Sequence, residues 1–482
     1  MIPTLIGAAT ILLGAWLLLR RSVMALMCAV LALSLLDGSA ALILTSLGGS
    51  SIPPGRIMLG FLLVSCFSLV KEDAALFREA IVKNVWLVIF CLYSFIGAFL
   101  LPRIFQQSMD VFPLRPIGMR HQFDTIPLFF SSQNITTAVY LIGTGIAALC
   151  CYIAVTRSKN LNPIVTAAIV ITVTHATLGI LGVALRGTPW DQVVEFFRNG
   201  SYSQVDQRTK SFIRINGIMP EPSIYADFGL AWFILCFELW LRHIRPRATG
   251  LAAALMAIVL MLSTSSTAYV GLAGYALILV GRAALMPSYL RSDKLIAIGA
   301  VALLGTAFVA LLMITSSEAA QAFEEMIRQM TVDKAGSDSG LQRAFWARQG
   351  IDAFFVSYGL GIGAGSFRSS SIVTAILGGM GIVGIVSFIA YLLQVGWPRR
   401  SGQSGSEAGD IADAMGWTAI ASLIPALLTQ ASPDPGMDFA CFAGIAIALK
   451  SRAARLNRTA DHTSNLRVSA VPPPAGWRHV SR

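Results

Sequence analysis

The sequence has little charge: Asp, Glu, Lys and Arg together make up 13% of its 482 residues, whereas 55% are hydrophobic. Uncharged runs reach the roughly 17 to 25 residues that cross a bilayer as a helix. These runs lack the alternation of polar and apolar residues that is typical of a membrane barrel. Because only helices and closed barrels satisfy their backbone hydrogen bonds inside lipid, the sequence predicts an all-α, polytopic integral membrane protein.

The sequence also lacks a disulfide framework, a zinc-ligand spacing and an acidic metal-binding motif. Its seven cysteines all fall inside the predicted membrane spans. A glycine-rich stretch is present, but it has no Lys-Ser/Thr ending of the kind found in nucleotide-binding loops. We therefore predict no metal and no other cofactor.

Thirteen apolar runs are predicted to span the membrane. They lie near residues 2–19, 22–47, 56–70, 84–101, 135–155, 163–185, 223–241, 248–263, 267–281, 295–314, 371–393, 415–430 and 437–449. The basic residues of the short connections, such as Arg20, Arg21 and Lys71, fall on one side, which the positive-inside rule assigns to the cytoplasm. The N-terminus is then periplasmic and the C-terminus cytoplasmic.

Residues 1–449 are thus predicted to form the membrane domain, and residues 450–482 a basic, disordered cytoplasmic tail. The net charge of +11 is explained by this topology and by contact with anionic lipid. We predict the lipid bilayer, and no nucleic acid, as a partner.

Three long loops share the outer side, at 102–134, 186–222 and 315–370. The two larger loops are each predicted to carry a short interfacial helix. One is capped by Thr188, and the other covers 317–331. Aromatic side chains in the first helix suit the headgroup layer of a membrane.

A carboxylate between two prolines stands where the second long loop meets an apolar run, in Pro220-Glu221-Pro222-Ser223. Each proline fixes its own φ and restricts the residue before it, so the backbone around Glu221 has little freedom. A carboxylate held in this way can take a proton from an attacking hydroxyl group, with Ser223 as a neighbouring substrate-binding residue. Alternatively, Glu221 only caps the following helix, and spacing alone does not separate the two interpretations.

Basic residues precede this element on the side where the positive-inside rule disfavours them: Arg208, Lys210 and Arg214. Guanidinium groups bind phosphate in a bidentate way, so the cluster indicates an anionic ligand such as a diphosphate. Contact with lipid headgroups is the alternative. We predict a catalytic role for Arg214 and substrate binding for Arg208 and Lys210.

The third long loop contains a second cluster, in which arginines on a predicted helix over 341–355 precede alternating glycines. Its predicted site residues are Arg343, Arg348, Gly361, Gly363, Gly365 and Arg368. Glycines allow backbone N–H groups to approach an anion closely, as in phosphate-binding loops. Glycine-rich helix entries are also common in membrane proteins, so the arginines carry most of this prediction.

Three ionisable residues fall inside predicted spans, namely Asp37, His175 and Asp227. Such residues indicate functional sites by default. Asp227 follows Ser223 by one helical turn and is the strongest of the three. Asp37 and His175 are more simply explained as polar contacts between helices.

These features resemble the bacterial polysaccharide polymerases and O-antigen ligases, integral membrane glycosyltransferases that use polyprenyl-diphosphate-linked sugars. The resemblance covers most of the chain and rests on the number and orientation of the spans and on two motifs. These are Arg214-x-x-Gly217-x-x-x-Glu221-Pro222-Ser223 before one span, and Arg343 followed by Gly361-x-Gly363-x-Gly365-Ser366 before another.

The resemblance implies an inverting, metal-independent polymerase of the inner membrane. It would join undecaprenyl-diphosphate-linked oligosaccharide repeat units into exopolysaccharide or O-antigen at the periplasmic face. Glu221 would deprotonate the acceptor hydroxyl, while Arg214, Arg343 and Arg348 would hold the diphosphate. A chain-length regulator and a flippase are the protein partners that it implies.

Two departures from the family pattern bear on this expectation. The segment 263–267 reads Ser-Thr-Ser-Ser-Thr where many members carry an arginine. The ligase branch is associated with a histidine in a large outer loop, whereas the loops 186–222 and 315–370 contain none and His121 lies in the first long loop. The second departure favours a polymerase over a ligase.

Two other classes stay open. A flippase or transporter of the same lipid-linked sugars would show internal repeats, a site near the bilayer midplane and interrupted helices. A non-catalytic assembly subunit would use the Pro-Glu-Pro element only as a helix cap.

Overall fold

The computed structural model describes residues 2–44, 50–70, 72–115, 123–200, 208–209, 212–285, 292–330, 337–397 and 406–469. Helices dominate this part of the chain. The first nine are α1 (Leu5–Leu19), α2 (Val23–Leu33), α3 (Pro54–Val70), α4 (Ala74–Lys83), α5 (Val85–Ile104), α6 (Ser132–Arg157), α7 (Asn162–Ala184), α8 (Asp191–Phe196) and α9 (Pro222–Leu241). The others are α10 (Pro246–Leu262), α11 (Ser266–Leu285), α12 (Ser292–Thr315), α13 (Ser317–Met330), α14 (Asp338–Val356), α15 (Ile372–Gly396), α16 (Glu407–Ala421), α17 (Ala426–Thr429) and α18 (Met437–Ser469).

Eight helical segments among the described residues are long and apolar enough to cross a membrane. They are α5, α6, α7, α9, α11, α12, α15 and the pair α16–α17. Shorter apolar helices accompany them, namely α1, α2, α3 and α10. The protein is therefore a multi-pass helical membrane protein, as predicted, while the count of thirteen spans and their orientation stay predictions.

The centre of the bundle is formed by α6, α9, α16 and α18, which pack closely because small residues lie at their contacts. A Cβ atom on Gly444 of α18 would come within 2.3 Å of the Ala148 carbonyl oxygen of α6. On the neighbouring side, Trp232 of α9 meets Phe442 of α18 edge to face, with ring centroids 5.3 Å apart. The close packing fixes α9, the helix that begins at Glu221.

A buried ionic network also holds α9 in place. Glu238 of α9 is fully buried and pairs with Arg242, which directly follows α9, and with Arg282 of α11. The Tyr275 hydroxyl donates a further hydrogen bond of 2.7 Å to Glu238 Oε1. Charges inside a helical bundle must be paired in this way, so the network ties α9 to α11.

Short strands occur only in pairs or threes within the described loops. They are β1 (Ile2–Pro3), β2 (Leu42–Leu44), β3 (Ser50–Ile52), β4 (Asp110–Val111), β5 (Ile126–Pro127), β6 (Arg208–Thr209) and β7 (Phe212–Ile213). All pairs are antiparallel: β1 with β2, β2 with β3, β4 with β5, and β6 with β7. The register Ile2↔Ile43 and Leu42↔Ile52 joins the chain start to the connection between α2 and α3.

The two short loop helices are present as α8 and α13, and the predicted helix over 341–355 is α14. Helix α8 begins at Asp191, and Thr188 does not cap it, because Trp190 occupies the N-cap position and no described side chain accepts a capping hydrogen bond there. The Thr188 hydroxyl donates to the Leu185 carbonyl oxygen at 2.6 Å. Helix α14 is capped by Ser337, whose hydroxyl accepts from the Gly340 N–H at 3.2 Å.

The prediction of a disordered tail from residue 450 is corrected for its first part, because α18 continues to Ser469. Basic side chains hold the start of this extension against the bundle. Lys450 Nζ donates to the Trp397 carbonyl oxygen at 2.9 Å, and Arg452 Nη1 donates to the Ser158 carbonyl oxygen at 2.9 Å. Residues 470–482 lie outside the described residues.

Candidate functional site

A polar cavity of about 360 Å³ lies where α9 and α11 begin, between these helices and α14. It brings together the 186–222 loop and the 315–370 loop, whose meeting the sequence could not establish. Its lining residues are Arg214, Glu221, Ser223, Ser265, Ser266, Thr267, Ser339, Arg343, Trp346, Arg368, Ser369, Ser370 and Thr429.

Glu221 occupies the N-cap position of α9, with an extended backbone at φ −152° and ψ 159°. Its carbonyl oxygen accepts from the Tyr225 N–H at 3.0 Å, which starts the helix. Among the described residues, however, no first-turn amide donates a capping hydrogen bond to its side chain. The carboxylate instead accepts from the Ser223 hydroxyl and faces the cavity. This geometry argues against the interpretation of Glu221 as only a helix cap.

Arg214 shares the cavity wall with Glu221, although seven positions separate them in the sequence. Burial lowers the pKa of the Arg214 guanidinium, and the Glu221 carboxylate opposes that effect. A guanidinium begins so far above neutral pH that Arg214 stays charged. The cavity therefore holds a cation and a carboxylate that interact across it.

Arg343 enters the cavity from α14. Its backbone is fixed by the Ser370 hydroxyl, which donates to the Arg343 carbonyl oxygen at 2.7 Å. Among the described residues, no oxygen accepts a hydrogen bond from its guanidinium. A guanidinium without an internal acceptor can offer its fork of donors to a phosphate group.

Arg368 is held more firmly. Its backbone N–H donates to the Phe112 carbonyl oxygen at 2.9 Å, and its guanidinium carbon lies 4.6 Å from the centroid of the Trp346 ring. Phe112 contacts the same ring at 5.4 Å between centroids. The cation is thus placed over an aromatic wall, an arrangement that stabilises it where water is partly excluded.

The electrostatic character of the cavity follows from these side chains. Three arginines and a single carboxylate are among the described lining residues, and eight Ser and Thr residues and Trp346 complete the lining. Such a lining attracts an anion that carries several acceptor oxygens. Ser265, Ser266 and Thr267 belong to the segment 263–267, which contains no arginine, and Arg368 supplies a third guanidinium from another loop.

A second, mainly apolar cavity of about 520 Å³ adjoins the polar one. The two share Ser266, Thr267, Arg343, Ser370 and Thr429. The apolar part is lined by Val270, Ala344, Ala347, Pro425, Leu427 and Leu428. Arg343 therefore lies where the polar cavity meets the apolar cavity.

Arg348 lies outside both cavity linings. Its side chain is 81% exposed and its Nε lies 3.8 Å from Asp352 Oδ2, one turn along the same helix. The structure therefore separates Arg348 from Arg343, with which the sequence had grouped it.

The alternating glycines also lie outside the polar cavity lining. Gly361 donates its N–H to the Ser357 hydroxyl at 2.8 Å, and Gly363 donates to the Gly379 carbonyl oxygen at 3.1 Å. The prediction of a phosphate-binding loop is therefore corrected for these two, because their donors are already used.

A packing role explains why glycine stands at these positions. All three, including Gly365, have positive φ, between +84° and +98°. A Cβ atom on Gly361 would come within 2.6 Å of the Gly379 backbone, and one on Gly365 within 2.5 Å of the Gln133 carbonyl oxygen. The loop can thus lie against α15 and α6 only without side chains.

Two further basic residues, Arg208 and Lys210, were predicted to bind substrate. Arg208 is described only through the backbone of β6, and Lys210 lies outside the described residues. The same is true of His121.

A third cavity, of about 240 Å³, lies on another side of the start of α9. Asp37, Asp227 and Asp438 line it together with Arg56. Arg56 Nη2 lies 3.8 Å from Asp434 Oδ2. This cavity therefore has three carboxyl groups and one guanidinium in its lining, whereas the site cavity has three guanidinium groups and one carboxylate. No group of three or more His, Cys, Asp or Glu side chains among the described residues is arranged to hold a metal ion.

His175 has a packing role. It is fully buried, its Nε2 lies 3.0 Å from the Tyr225 carbonyl oxygen, and its ring stacks on that of Tyr225 with centroids 4.1 Å apart. The Tyr225 hydroxyl donates back to the His175 carbonyl oxygen at 3.1 Å. This reciprocal contact joins α7 to the first turn of α9.

No protein-family model and no curated protein matches the chain.

Proposed function

We propose that the protein is a membrane glycosyltransferase that polymerises polyprenyl-diphosphate-linked oligosaccharide repeat units. The transfer would take place at the periplasmic face of a bacterial inner membrane and yield exopolysaccharide or O-antigen. One observation carries the proposal: Glu221 shares a cavity with Arg214, Arg343 and Arg368, which come from two loops far apart in the sequence. The resemblance to polysaccharide polymerases and O-antigen ligases supports it.

The proposed reaction uses these groups in a single displacement. Glu221 accepts the proton of an acceptor sugar hydroxyl, and the hydroxyl oxygen forms a new bond to the anomeric carbon of the growing chain. The bond from that carbon to the diphosphate oxygen breaks, and the diphosphate leaves with the electron pair. Attack opposite the leaving group inverts the anomeric centre.

The arginines stabilise the leaving group. Charge develops on the diphosphate as its bond breaks, and prearranged guanidinium groups stabilise it most strongly in a site that excludes water. Arg214 and Arg343 are the proposed catalytic cations, and Arg368 and Ser223 are proposed to bind substrate. Because the arginines supply this positive charge, we propose metal-independent transfer.

The apolar cavity beside the site suits the lipid part of such a substrate. A polyprenyl diphosphate joins an apolar chain to a doubly charged head, and Arg343 stands where the apolar and polar cavities meet. The head would contact Arg343 while the first isoprene units pass Ala347 and Leu427. Undecaprenyl diphosphate is the proposed carrier.

The test is Glu221→Gln in purified protein supplied with a lipid-linked repeat unit. Loss of a general base reduces the rate by about 10²- to 10⁴-fold, so only single repeat units should remain. Arg348→Ala is the matched control, because that side chain is exposed and lies outside the cavity. Polymer of unchanged length and amount from Glu221→Gln would defeat the proposal.

The acceptor separates polymerase from ligase. A ligase transfers a finished polymer to a lipid acceptor and leaves chain length unchanged, whereas a polymerase lengthens the chain on its carrier. The same assay with and without a lipid acceptor therefore distinguishes the two by product mass.

A transporter of lipid-linked sugars is the second candidate, favoured by the carboxylates of the third cavity and by the break in α15 at Gly381, where φ is +61°. The backbone carbonyl oxygens of Gly378 and Gly379 beside this break are hydrogen-bonded within the protein, because they accept from the N–H groups of Ile362 and Gly363. A transport defect in Asp227→Asn would leave lipid-linked units on the cytoplasmic side, with polymerisation of external units intact.

A further inference from the structure

We propose that Arg198 and Gly38 are positioning residues that set the orientation of Glu221 from outside the cavity. We refer to Arg198 together with the segment 38–40 as the clasp. The inference rests on the proposed function, because it concerns how the proposed base is held.

Arg198 holds the turn that precedes Glu221. It is only 9% exposed, and its Nε donates to the Gly217 carbonyl oxygen at 2.9 Å. Its Nη2 donates to Asn216 Oδ1 at 3.1 Å and also to the Gly217 carbonyl oxygen. A buried guanidinium that uses two nitrogens on one turn fixes that turn in both position and orientation.

Residues 38–40 hold the loop that carries Arg198. The Ser39 hydroxyl donates to the Phe197 carbonyl oxygen at 2.5 Å, and the Ala40 N–H donates to Asn199 Oδ1 at 2.8 Å. The Gly200 N–H donates to the Gly38 carbonyl oxygen at 3.0 Å. Three hydrogen bonds thus attach the loop on both sides of Arg198.

Gly38 also touches the Glu221 turn directly. A Cβ atom at this position would come within 2.4 Å of the Ile218 carbonyl oxygen and 3.3 Å of the Pro220 ring. Only a residue without a side chain allows this approach. Any larger residue must displace Ile218 and Pro220.

A displacement there reaches the carboxylate because the connecting backbone is stiff. Pro220 fixes its own φ and restricts Met219, and Pro222 restricts Glu221, so the backbone from Met219 to Glu221 has little freedom to absorb a shift. A misplacement of about 1 Å at a reacting group can cost about 10²-fold in rate. The clasp residues themselves lie outside the cavity lining, and Arg343 and Arg368 reach the cavity from other elements.

The first test is a double-mutant cycle of Arg198→Lys with Glu221→Gln, measured with a polyprenyl-diphosphate-linked repeat unit. Arg198→Lys should lower kcat by about 10- to 100-fold with KM changed less than about twofold. In the Glu221→Gln background it should lower the rate by less than about twofold further. Equal losses in both backgrounds would overturn the inference.

Two control variants separate positioning from folding. Gly38→Ala should lower kcat as Arg198→Lys does, although it replaces no charged residue. Gly60→Ala is its control, because a Cβ atom there meets nothing within 4 Å. Arg157→Lys is the control for the arginine, because Arg157 is exposed and its Nη2 lies 3.4 Å from Glu72 Oε2. Wild-type kinetics in Gly38→Ala would contradict the proposal.

A second measurement does not depend on catalysis. Spin labels on Glu221→Cys and Arg348→Cys report the distance between the two sites, and Arg198→Lys and Gly38→Ala should each shift or broaden it. An unchanged distance overturns the positioning inference whatever the activity. A shifted distance together with a fully active Glu221→Gln leaves positioning intact and refutes the proposed function instead.

Discussion

Replacing Arg343 with alanine tests the proposed catalysis separately from the stability of the fold. The side chain reaches the cavity from α14 and has no internal acceptor among the described residues, so its removal leaves no buried group unpaired. Substitutions of this kind change the free energy of unfolding by less than about 0.5 kcal/mol. The unfolding temperature in detergent should therefore be close to that of the wild type.

The effect on the rate should be large. Loss of one prearranged donor to a developing charge costs about 10²- to 10³-fold in kcat, equivalent to about 3–4 kcal/mol in the activation free energy. Arg343→Lys keeps the charge but loses the planar fork, so it should recover only part of the rate. Both variants are measured by polymer length and initial rate, with unfolding followed on the same preparations.

Two outcomes would refute this reasoning. A rate for Arg343→Ala within about threefold of the wild type would show that its guanidinium does not stabilise the transition state. A lost rate that follows a lost unfolding transition would show that Arg343 maintains the fold. The control is Arg348→Ala, which removes an exposed arginine five positions along the same helix and should change neither quantity.

The other predictions concern packing and the lipid path. Gly361→Ala should lower the unfolding temperature, because its Cβ would lie 2.6 Å from backbone atoms at a φ of +84°, whereas Gly60→Ala should leave it unchanged. Glu238→Gln should destabilise the protein by about 3–5 kcal/mol in a reversible unfolding assay, because it leaves the buried Arg282 without its counter-charge; an unchanged transition would contradict this. Ala347→Trp should fill part of the 520 Å³ apolar cavity and raise KM for the lipid-linked substrate, and an unaltered KM would place the lipid elsewhere.

The sequence determined the features that depend on local composition and spacing. Long uncharged runs must become helices in lipid, and the structure has helices in these runs; the predicted span 22–47 is the exception in part, because α2 ends at Leu33 and β2 follows at Leu42–Leu44. The two prolines around Glu221 and the start of α9 were also readable, because proline restricts the backbone wherever it occurs. Helix α14 followed from its own pattern in the same way.

The wrong predictions from sequence have one cause: they lacked the tertiary contacts with residues far apart in the chain. Gly361 and Gly363 look like a phosphate-binding loop in isolation, but their positive φ and their N–H groups serve a close contact with α15. The extension of α18 to Ser469 is likewise supported by contacts to distant residues, including Ser158. Arg198 gave no sequence signal, because a buried arginine that holds a turn resembles any other loop arginine before the fold is known.

Only the tertiary structure decided which charged residues form one site. Arg214 and Glu221 are local to one loop, but their meeting with Arg343 and Arg368 depends on how α9, α11 and α14 pack. Helix geometry then separates Arg343 from Arg348, since five positions turn a helix by about 140° from one face to another. The sequence thus determined a helical membrane protein with basic loops and a carboxylate on a restricted backbone. The tertiary packing determined that these residues line one cavity, because local spacing contains no information about contacts between segments far apart in the chain.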